Sequence, residues 1–406
     1  MGIASLFSGV GAVELGLRAH LREPLLLFCE VNEDARRVLR TQFPSVPCHG
    51  DVRTLEALPR GTTIVTAGSP CTDLSSLGRC EGIGGSASSL VEHVFRLVAG
   101  CDTVETVVLE NVVNMMRLHR GEGVRLLTAR LEALGFAWAY RVFDARAFGL
   151  PQARRRFVLV ARRGDVPAPT WLLADRAWRS DDRRARRTEA AELDARGFAG
   201  FYINEGRRGS GFRVGAAPTI KCNGNSAEVR CGFQPHVLLL AEGTRADGAR
   251  VVRLDIEDAE RAQGLPSGWT AAAGSELRRF ARVGNAVPVP FMELVGAGLA
   301  GKLAAPAALR AATPRAREWT CAAYGAPGAV GRVDVTDAPC EAALKLAPSR
   351  LTDDDAALVR LAHGKPVSAN AARGFLLRAR NGRSAMPEWA LGAIRAHVRH
   401  FHGFHE

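Results

Sequence analysis

Ile3-Ala4-Ser5-Leu6-Phe7-Ser8-Gly9-Val10-Gly11 begins as a short apolar strand and runs into a glycine-containing turn, after which Val13 to Ala19 shows a helical pattern. Glycines at such a turn let backbone N–H groups and the helix N-terminus approach an anionic group, here a carboxylate. The spacing is not the GxGxxG fingerprint of dinucleotide sites, because Leu15 and Gly16 break it.

The alternation continues outward from this stretch. Leu25 to Glu30 reads as a second strand, followed by a helix from about Asp34 to Gln42. Strands are expected near 63–67, 106–109, 136–143 and 156–162, with helices near 89–99 and 121–134. Short apolar runs alternating with helical patterns predict an α/β fold, a Rossmann-like, mostly parallel sheet with helices on both faces. The rhythm breaks after Arg163. Residues 164–252 hold Pro167, Pro169, an arginine-rich patch from Arg176 to Arg187 and turns such as Lys221-Cys222-Asn223-Gly224-Asn225, the composition of a smaller, irregular domain. Helical patterns return at Asp255–Gln263 and Phe291–Leu303, so 253–303 is read as a segment that returns to complete the 1–163 domain. Residues 304–320 are rich in Ala, Pro and Arg and read as a linker. The rest of 304–406 has helical patterns near 352–362 and 368–379 and no readable motif.

Hydrophobic residues make up 47% of the chain and charged residues 24%, a soluble, globular balance. No apolar run approaches the roughly 18 residues of a membrane span. No signal-peptide pattern precedes the first strand, and Leu6 stands where a myristoylation signal needs Ser or Thr. The formal net charge of +12, much of it arginine, makes a polyanionic partner plausible. Nine cysteines, an odd number with no CxxC pair, point to a reducing compartment and against a zinc site. The clustered His397, His400, His402 and His405 lack the cysteine or carboxylate spacing of a metal site, and no metal is expected.

Two acids follow the glycine turn at strand ends. Glu30 lies about 20 residues beyond it, where an acid binds ribose hydroxyls. Asp51, after Cys48-His49-Gly50, can accept from an adenine amine or simply cap a turn. Two further strand ends carry reactive groups. Ser69-Pro70-Cys71 places a thiol after the run Thr63–Ala67, and Glu110-Asn111-Val112 places a carboxylate after Thr106–Leu109. A nucleophile and a proton donor on two strand ends are what covalent attack on an electron-poor ring requires.

Taken in order, these motifs closely resemble the C5-cytosine DNA methyltransferases, which use S-adenosylmethionine. The resemblance runs through Phe7-Ser8-Gly9-Val10-Gly11, Glu30, Asp51, Ser69-Pro70-Cys71, Glu110-Asn111-Val112, Gln152-Ala153-Arg154-Arg155-Arg156 and Gly284-Asn285-Ala286-Val287-Pro288, covering roughly residues 3–302. Ala217-Pro218-Thr219-Ile220 looks like the family's Thr-Leu element with Ile for Leu, and Gln263-Gly264-Leu265-Pro266 like its Gln-Gly-Phe-Pro turn. The resemblance implies a class I methyltransferase domain, a target-recognition domain at 164–252, and a cytosine flipped out of the duplex. It assigns S-adenosylmethionine to Phe7, Gly9, Gly11, Glu30, Asp51, Pro70 and Asn285. Cys71 is the expected nucleophile at C6 and Glu110 the group that protonates N3. Arg154 and Arg156 alternate along a strand toward one face, one to bind cytosine O2 and the other to brace the catalytic loop or its acid. Asn111 and Val112 set the loop. Ser75 and Arg79, in the glycine-rich loop Thr72–Ser88, and Thr219 are expected to touch DNA.

The chain departs from the family pattern at Val31, where an aromatic often stacks on adenine, at Ala12 and at Thr72-Asp73. The expected partner is double-stranded DNA, with a monomeric enzyme and a cognate restriction endonuclease as a candidate companion. The expected location is the bacterial cytoplasm and nucleoid, or the nucleus if the source is eukaryotic. Two other readings stay open: an RNA (tRNA) cytosine methyltransferase of the same fold, and a catalytically silent DNA-binding regulator.

Overall fold

The computed structural model describes residues 2–69, 89–164, 168–174, 198–203, 210–214, 216–217, 219–220, 236–239, 250–309, 319–327, 329–333, 376 and 388–402. Its centre is a nine-stranded sheet. In chain order the strands are β1 (Gly2–Leu6), β2 (Leu25–Cys29), β3 (Cys48–His49), β4 (Thr62–Gly68), β5 (Thr106–Val112), β6 (Phe136–Asp144), β7 (Arg155–Arg163), β12 (Ala322–Ala326) and β13 (Ala329–Val333). Their spatial order is β13-β12-β6-β7-β5-β4-β1-β2-β3. The pairings β3-β2-β1-β4-β5 are all parallel. β7 lies antiparallel between β5 and β6, and β12 is antiparallel to both β6 and β13.

Strand alternation builds two apolar layers, one on each face. Ile3, Phe28, Ile64, Val108, Val158 and Val160 enter one layer. Their neighbours Ala4, Leu27, Val65, Val107, Phe157 and Leu159 enter the other. Because both faces are covered, the strands read in sequence as continuous apolar runs. Helices α1 (Ala12–Leu17), α2 (Glu33–Gln42) and α7 (Val289–Leu299) add Leu17, Val38 and Phe291 to the first layer. Helices α3 (Ser89–Ala99) and α4 (Glu122–Ala133) add Phe95 and Leu127 to the second. Gly16 allows the close approach of α1 to α7, since a Cβ there would meet the Met292 side chain and the Val289 carbonyl at 2.6 Å.

A second, four-stranded antiparallel sheet has the order β11-β10-β8-β9. It is formed by β8 (Phe198–Ile203), β9 (Ser210–Val214), β10 (His236–Leu239) and β11 (Arg250–Arg253). After it come α5 (Ile256–Arg261) and α6 (Glu276–Asn285), which share the small core of Leu254, Ala259, Phe280 and Val283. The C-terminal helix α8 (Glu388–His402) lies against β11.

Two features differ from the sequence expectations. Glu276–Asn285 is a helix that its arginine-rich sequence did not signal. Residues 322–333, read as part of a helical extension, form the hairpin β12–β13 on the main sheet. Ala and Gly carry little strand preference, and pairing with β6 supplies the order. His397 is buried, and its Nδ1 accepts the Val251 N–H at 3.2 Å. The helical patterns near 352–362 and 368–379 lie outside the described residues, apart from Leu376. Among the described residues no helix is long and apolar enough to cross a membrane, and no cluster of His, Cys, Asp and Glu could hold a metal ion.

Candidate active site

The loops after β1, β2, β3, β4 and β5 leave the carboxyl ends of parallel strands, the edge where open α/β sheets bind ligands. At the first loop Phe7, Gly9 and Gly11 have φ values of 54°, 56° and 75°. Glycine adopts this left-handed region freely, while Phe7 holds it at a cost. Ser8 fixes the turn by donating to the Ser5 carbonyl at 3.0 Å and accepting the Cys29 N–H at 3.1 Å. Glu30 reaches across from the end of β2. Its Oε2 accepts the Gly9 N–H and its Oε1 the Asn32 N–H, both at 2.8 Å. Each oxygen keeps a second acceptor site for a hydroxyl. Asp51 accepts Arg53 Nη2 at 2.6 Å and the Arg53 backbone N–H at 2.9 Å. The Arg53 hydrogen bonds hold its carboxyl down at about 2, so an anionic acceptor stands at the third loop. Val31, between Glu30 and Asn32, is 67% exposed.

Sequence reasoning missed what holds this turn from behind. Trp269 Nε1 donates to the Val10 carbonyl at 2.9 Å, and its ring meets Phe43 edge-on at 5.9 Å. Gln42 Nε2 donates to the Trp269 carbonyl at 2.9 Å, and Arg37 donates to the carbonyls of Ala272 and Ala273. The return segment is thus bonded both to the turn and to α2.

Glu110 sits on β5 opposite Gly68 of β4, and a Cβ at Gly68 would lie 3.6 Å from Glu110 Oε2. On the other side β7 brings Arg156 opposite Val112, and Arg156 Nε pairs with Glu110 Oε1 at 2.9 Å. Burial pushes the Glu110 carboxyl above its ordinary value, opposed by the charges of Arg156 and Arg154. Asn111 is buried and ties β5 to the end of β4: its Nδ2 donates to Ser69 Oγ at 2.9 Å, and its Oδ1 accepts the Val112 N–H at 2.7 Å. Ser69 is the one described residue of the thiol motif. Pro70, Cys71, Ser75 and Arg79 lie outside the described residues.

The two arginines differ in setting, although the charges of both act on Glu110. Arg154 precedes β7 and is fully buried. It donates to the carbonyls of Ile220 at 2.8 Å, Gly284 at 2.9 Å and Ala286 at 2.7 Å. Its guanidinium is occupied by backbone acceptors, and its charge also acts on the Glu110 carboxyl. Gln152 works beside it, with Oε1 accepting the Ile220 N–H at 3.1 Å and Nε2 donating to the Ala262 carbonyl at 2.9 Å. Thr219 donates its hydroxyl to the Ala153 carbonyl at 2.5 Å, so this predicted DNA contact is anchored on the catalytic segment. Asn285 ends α6, exposed, between the two carbonyls that Arg154 holds. The segment 152–156 therefore connects the acid, the 217–220 element and the 284–286 motif.

Residues 1–192 match the C-5 cytosine-specific DNA methylase family. The chain is 38% identical over 310 residues to the Type II methyltransferase M2.BsuMI of Bacillus subtilis, a match covering 74% of this chain and 75% of the relative. It is also 28% identical over 163 residues to the Type II methyltransferase M.BsuFI of Bacillus subtilis, spanning 40% of this chain and 39% of that protein. A DNMT2 variant of Spodoptera frugiperda shares the fold, with a TM-score of 0.51 at 14% identity, over 73% of this chain and 99% of that one. With a strand-end acid, a glycine turn bonded to a strand-end carboxylate and this relationship in place, the chain belongs to the C-5 cytosine-specific DNA methylase family.

Proposed function

We propose that the chain methylates C5 of a cytosine flipped out of duplex DNA, with S-adenosylmethionine as methyl donor and a transient bond from the Cys71 sulfur to cytosine C6. The observation that carries this reading is the Arg156–Glu110 pair at the end of β5, a carboxyl raised by burial and bonded at its side to a guanidinium. Cytosine C5 is a poor nucleophile. Addition of the Cys71 thiolate to C6, with Glu110 giving a proton to N3, turns C5 into an enamine carbon. Arg156 steadies the acid and reaches O2. Once C5 carries the methyl group, a base removes the C5 proton, the C6–S bond breaks to release the thiolate, and N3 returns its proton to Glu110.

The cofactor fits the first three loops. Glu30 retains acceptor sites for a ribose diol, Asp51 is an anionic acceptor for an amine, and the turn at Gly9–Gly11 admits close backbone approach. When bound there, the sulfonium supplies an electrophilic methyl group. Arg154 and Gln152 hold the 217–220 element against the catalytic segment, so residues 164–252 are read as the target-recognition domain and 253–303 as the return of the catalytic domain. The family description and the Bacillus relatives favour DNA over RNA, a bacterial cytoplasmic setting and a companion restriction endonuclease.

The test is trapping on duplex DNA carrying 5-fluorocytosine. The fluorine cannot leave as the proton does, so the covalent adduct accumulates in the presence of the methyl donor. Cys71→Ser is expected to abolish it. An adduct formed by that variant, or transfer to tRNA with none to duplex DNA, would overturn the reading.

A further inference from the structure

Immediately beyond the catalytic strand β5, the chain adopts a conformation that its residues disfavour. His119 (φ 45°, ψ 41°), Arg120 (φ 57°, ψ 33°) and Gly121 (φ 76°, ψ 26°) are three consecutive left-handed residues. In residues with a Cβ, left-handed backbone costs about 1–2 kcal/mol each and normally occurs singly. Among the described residues the other non-glycine with positive φ is Phe7, in the turn assigned to the cofactor. Strain of this kind persists where surrounding contacts impose it.

Those contacts are specific. Arg125 Nη1 donates to the Arg120 carbonyl at 2.9 Å and its Nη2 to the His119 carbonyl at 3.4 Å. The Arg120 N–H donates to the Arg117 carbonyl at 3.2 Å. Gly121 is covered by the Trp319 ring, which leaves no room for a Cβ. Trp319 in turn packs against Tyr140, with centroids 6.0 Å apart. The inward-facing groups hold the turn, while Arg117, His119 and Arg120 are exposed. A single short 3-10 turn, Val113–Met116, separates them from Val112, whose sheet partner is Arg156.

We infer that the turn Arg117–Gly121 grips the phosphate backbone of the bound DNA beside the flipped base, with Arg120 the principal contact and Arg117 and His119 flanking it. The inference rests on the proposed DNA substrate and extends it to a contact outside the family motifs. Its warrant is charge complementarity. Arg117, His119 and Arg120 are all exposed one short turn beyond the strand that carries Glu110, and the carbonyls of His119 and Arg120 are already taken by Arg125. Phosphate contacts fix register without reading sequence, so the effect is independent of the recognised site.

The experiment measures binding of the full chain to a labelled mixed-sequence 30-base-pair duplex by fluorescence anisotropy over a salt series, for wild type, Arg120→Gly and Arg120→Lys. One phosphate contact contributes about 0.9 to the slope of log affinity against log salt. Arg120→Gly is expected to lower the slope by about that amount and weaken binding on the order of three- to tenfold. Its melting temperature should equal or exceed wild type, because glycine relieves the left-handed strain. Arg120→Lys should restore most of the slope. An Arg120→Gly protein that is equally or more stable and binds with the wild-type slope overturns the inference, whereas wild type that fails to trap on 5-fluorocytosine duplex overturns the underlying reading instead.

Discussion

Arg156 Nε lies 2.9 Å from Glu110 Oε1, a pair joined across neighbouring antiparallel strands rather than through a loop. The acid is therefore fixed by the sheet before any substrate arrives. Burial is the larger influence on its carboxyl and pushes it upward, with Arg156 pulling the other way. A carboxyl whose folded pKa lies above its unfolded one contributes stability that is complete below the unfolded pKa. That contribution is lost as pH rises through the folded pKa. Glu110→Gln stays neutral throughout and still accepts from Arg156. It should lower kcat by at least ~10²-fold yet melt at a higher temperature than wild type at pH 7–8, the difference vanishing near pH 4. Thermal melts across that range check it.

Arg156→Gln removes the cation that favours ionised Glu110, so the carboxyl rises further. The alkaline limb of the kcat profile, where the acid loses its proton, is expected to move to higher pH while the maximum falls. A pH–rate profile with an unmoved alkaline limb would show that Glu110 is not the titrating acid.

Arg154 predicts a different signature. Arg154→Met takes a donor from three backbone carbonyls in a dry setting, of which Ala286 keeps Gln263 Nε2 at 3.3 Å, a loss on the order of 2–3 kcal/mol. Because those carbonyls belong to the 217–220 and 284–286 elements, KM for DNA should rise more than kcat falls. Denaturant melts and steady-state kinetics separate this from a direct role in chemistry, which would lower kcat alone.

The central strands were legible in the sequence because each is apolar on both faces. Val158 and Val160 serve one layer while Phe157 and Leu159 serve the other, so the run Phe157–Val160 could be little else. Glu30 and Glu110 were legible because each ends such a run. The task of Arg154 was not, since its partners Ile220, Gly284 and Ala286 lie far along the chain and only the fold selects them. Ala322–Ala326 was hidden for the same reason: its sequence carries no strand signal, and β6 imposes one. Trp269 stood in a turn and gave no sign that its indole would reach Val10.

That indole makes the next prediction. Trp269→Phe keeps a ring against Phe43 but removes the only side-chain N–H that indole offers to the Val10 carbonyl. A hydrogen bond of this kind is worth about 1 kcal/mol, so affinity for S-adenosylmethionine should fall roughly fivefold. DNA binding in the absence of cofactor should not change. Titration calorimetry with the cofactor and anisotropy with DNA measure the two arms, and equal losses in both would indicate general loosening instead.

Val31 is the position where this site has room to improve. It is 67% exposed between Glu30, whose carboxylate is bonded to the Gly9 turn, and Asn32, which caps α2. A β-branched aliphatic side chain offers a purine only its methyl groups, whereas an indole offers a stacking face worth about 0.5–1.5 kcal/mol. Since the side chain already projects into open space, Val31→Trp requires no repacking of the core. It is expected to tighten S-adenosylmethionine binding by about two- to tenfold. The demethylated product carries the same adenine, so its affinity should rise in parallel and kcat should fall if product release limits turnover. Calorimetry with both ligands tests the idea, and an unchanged affinity for both would place the adenine ring elsewhere than against residue 31.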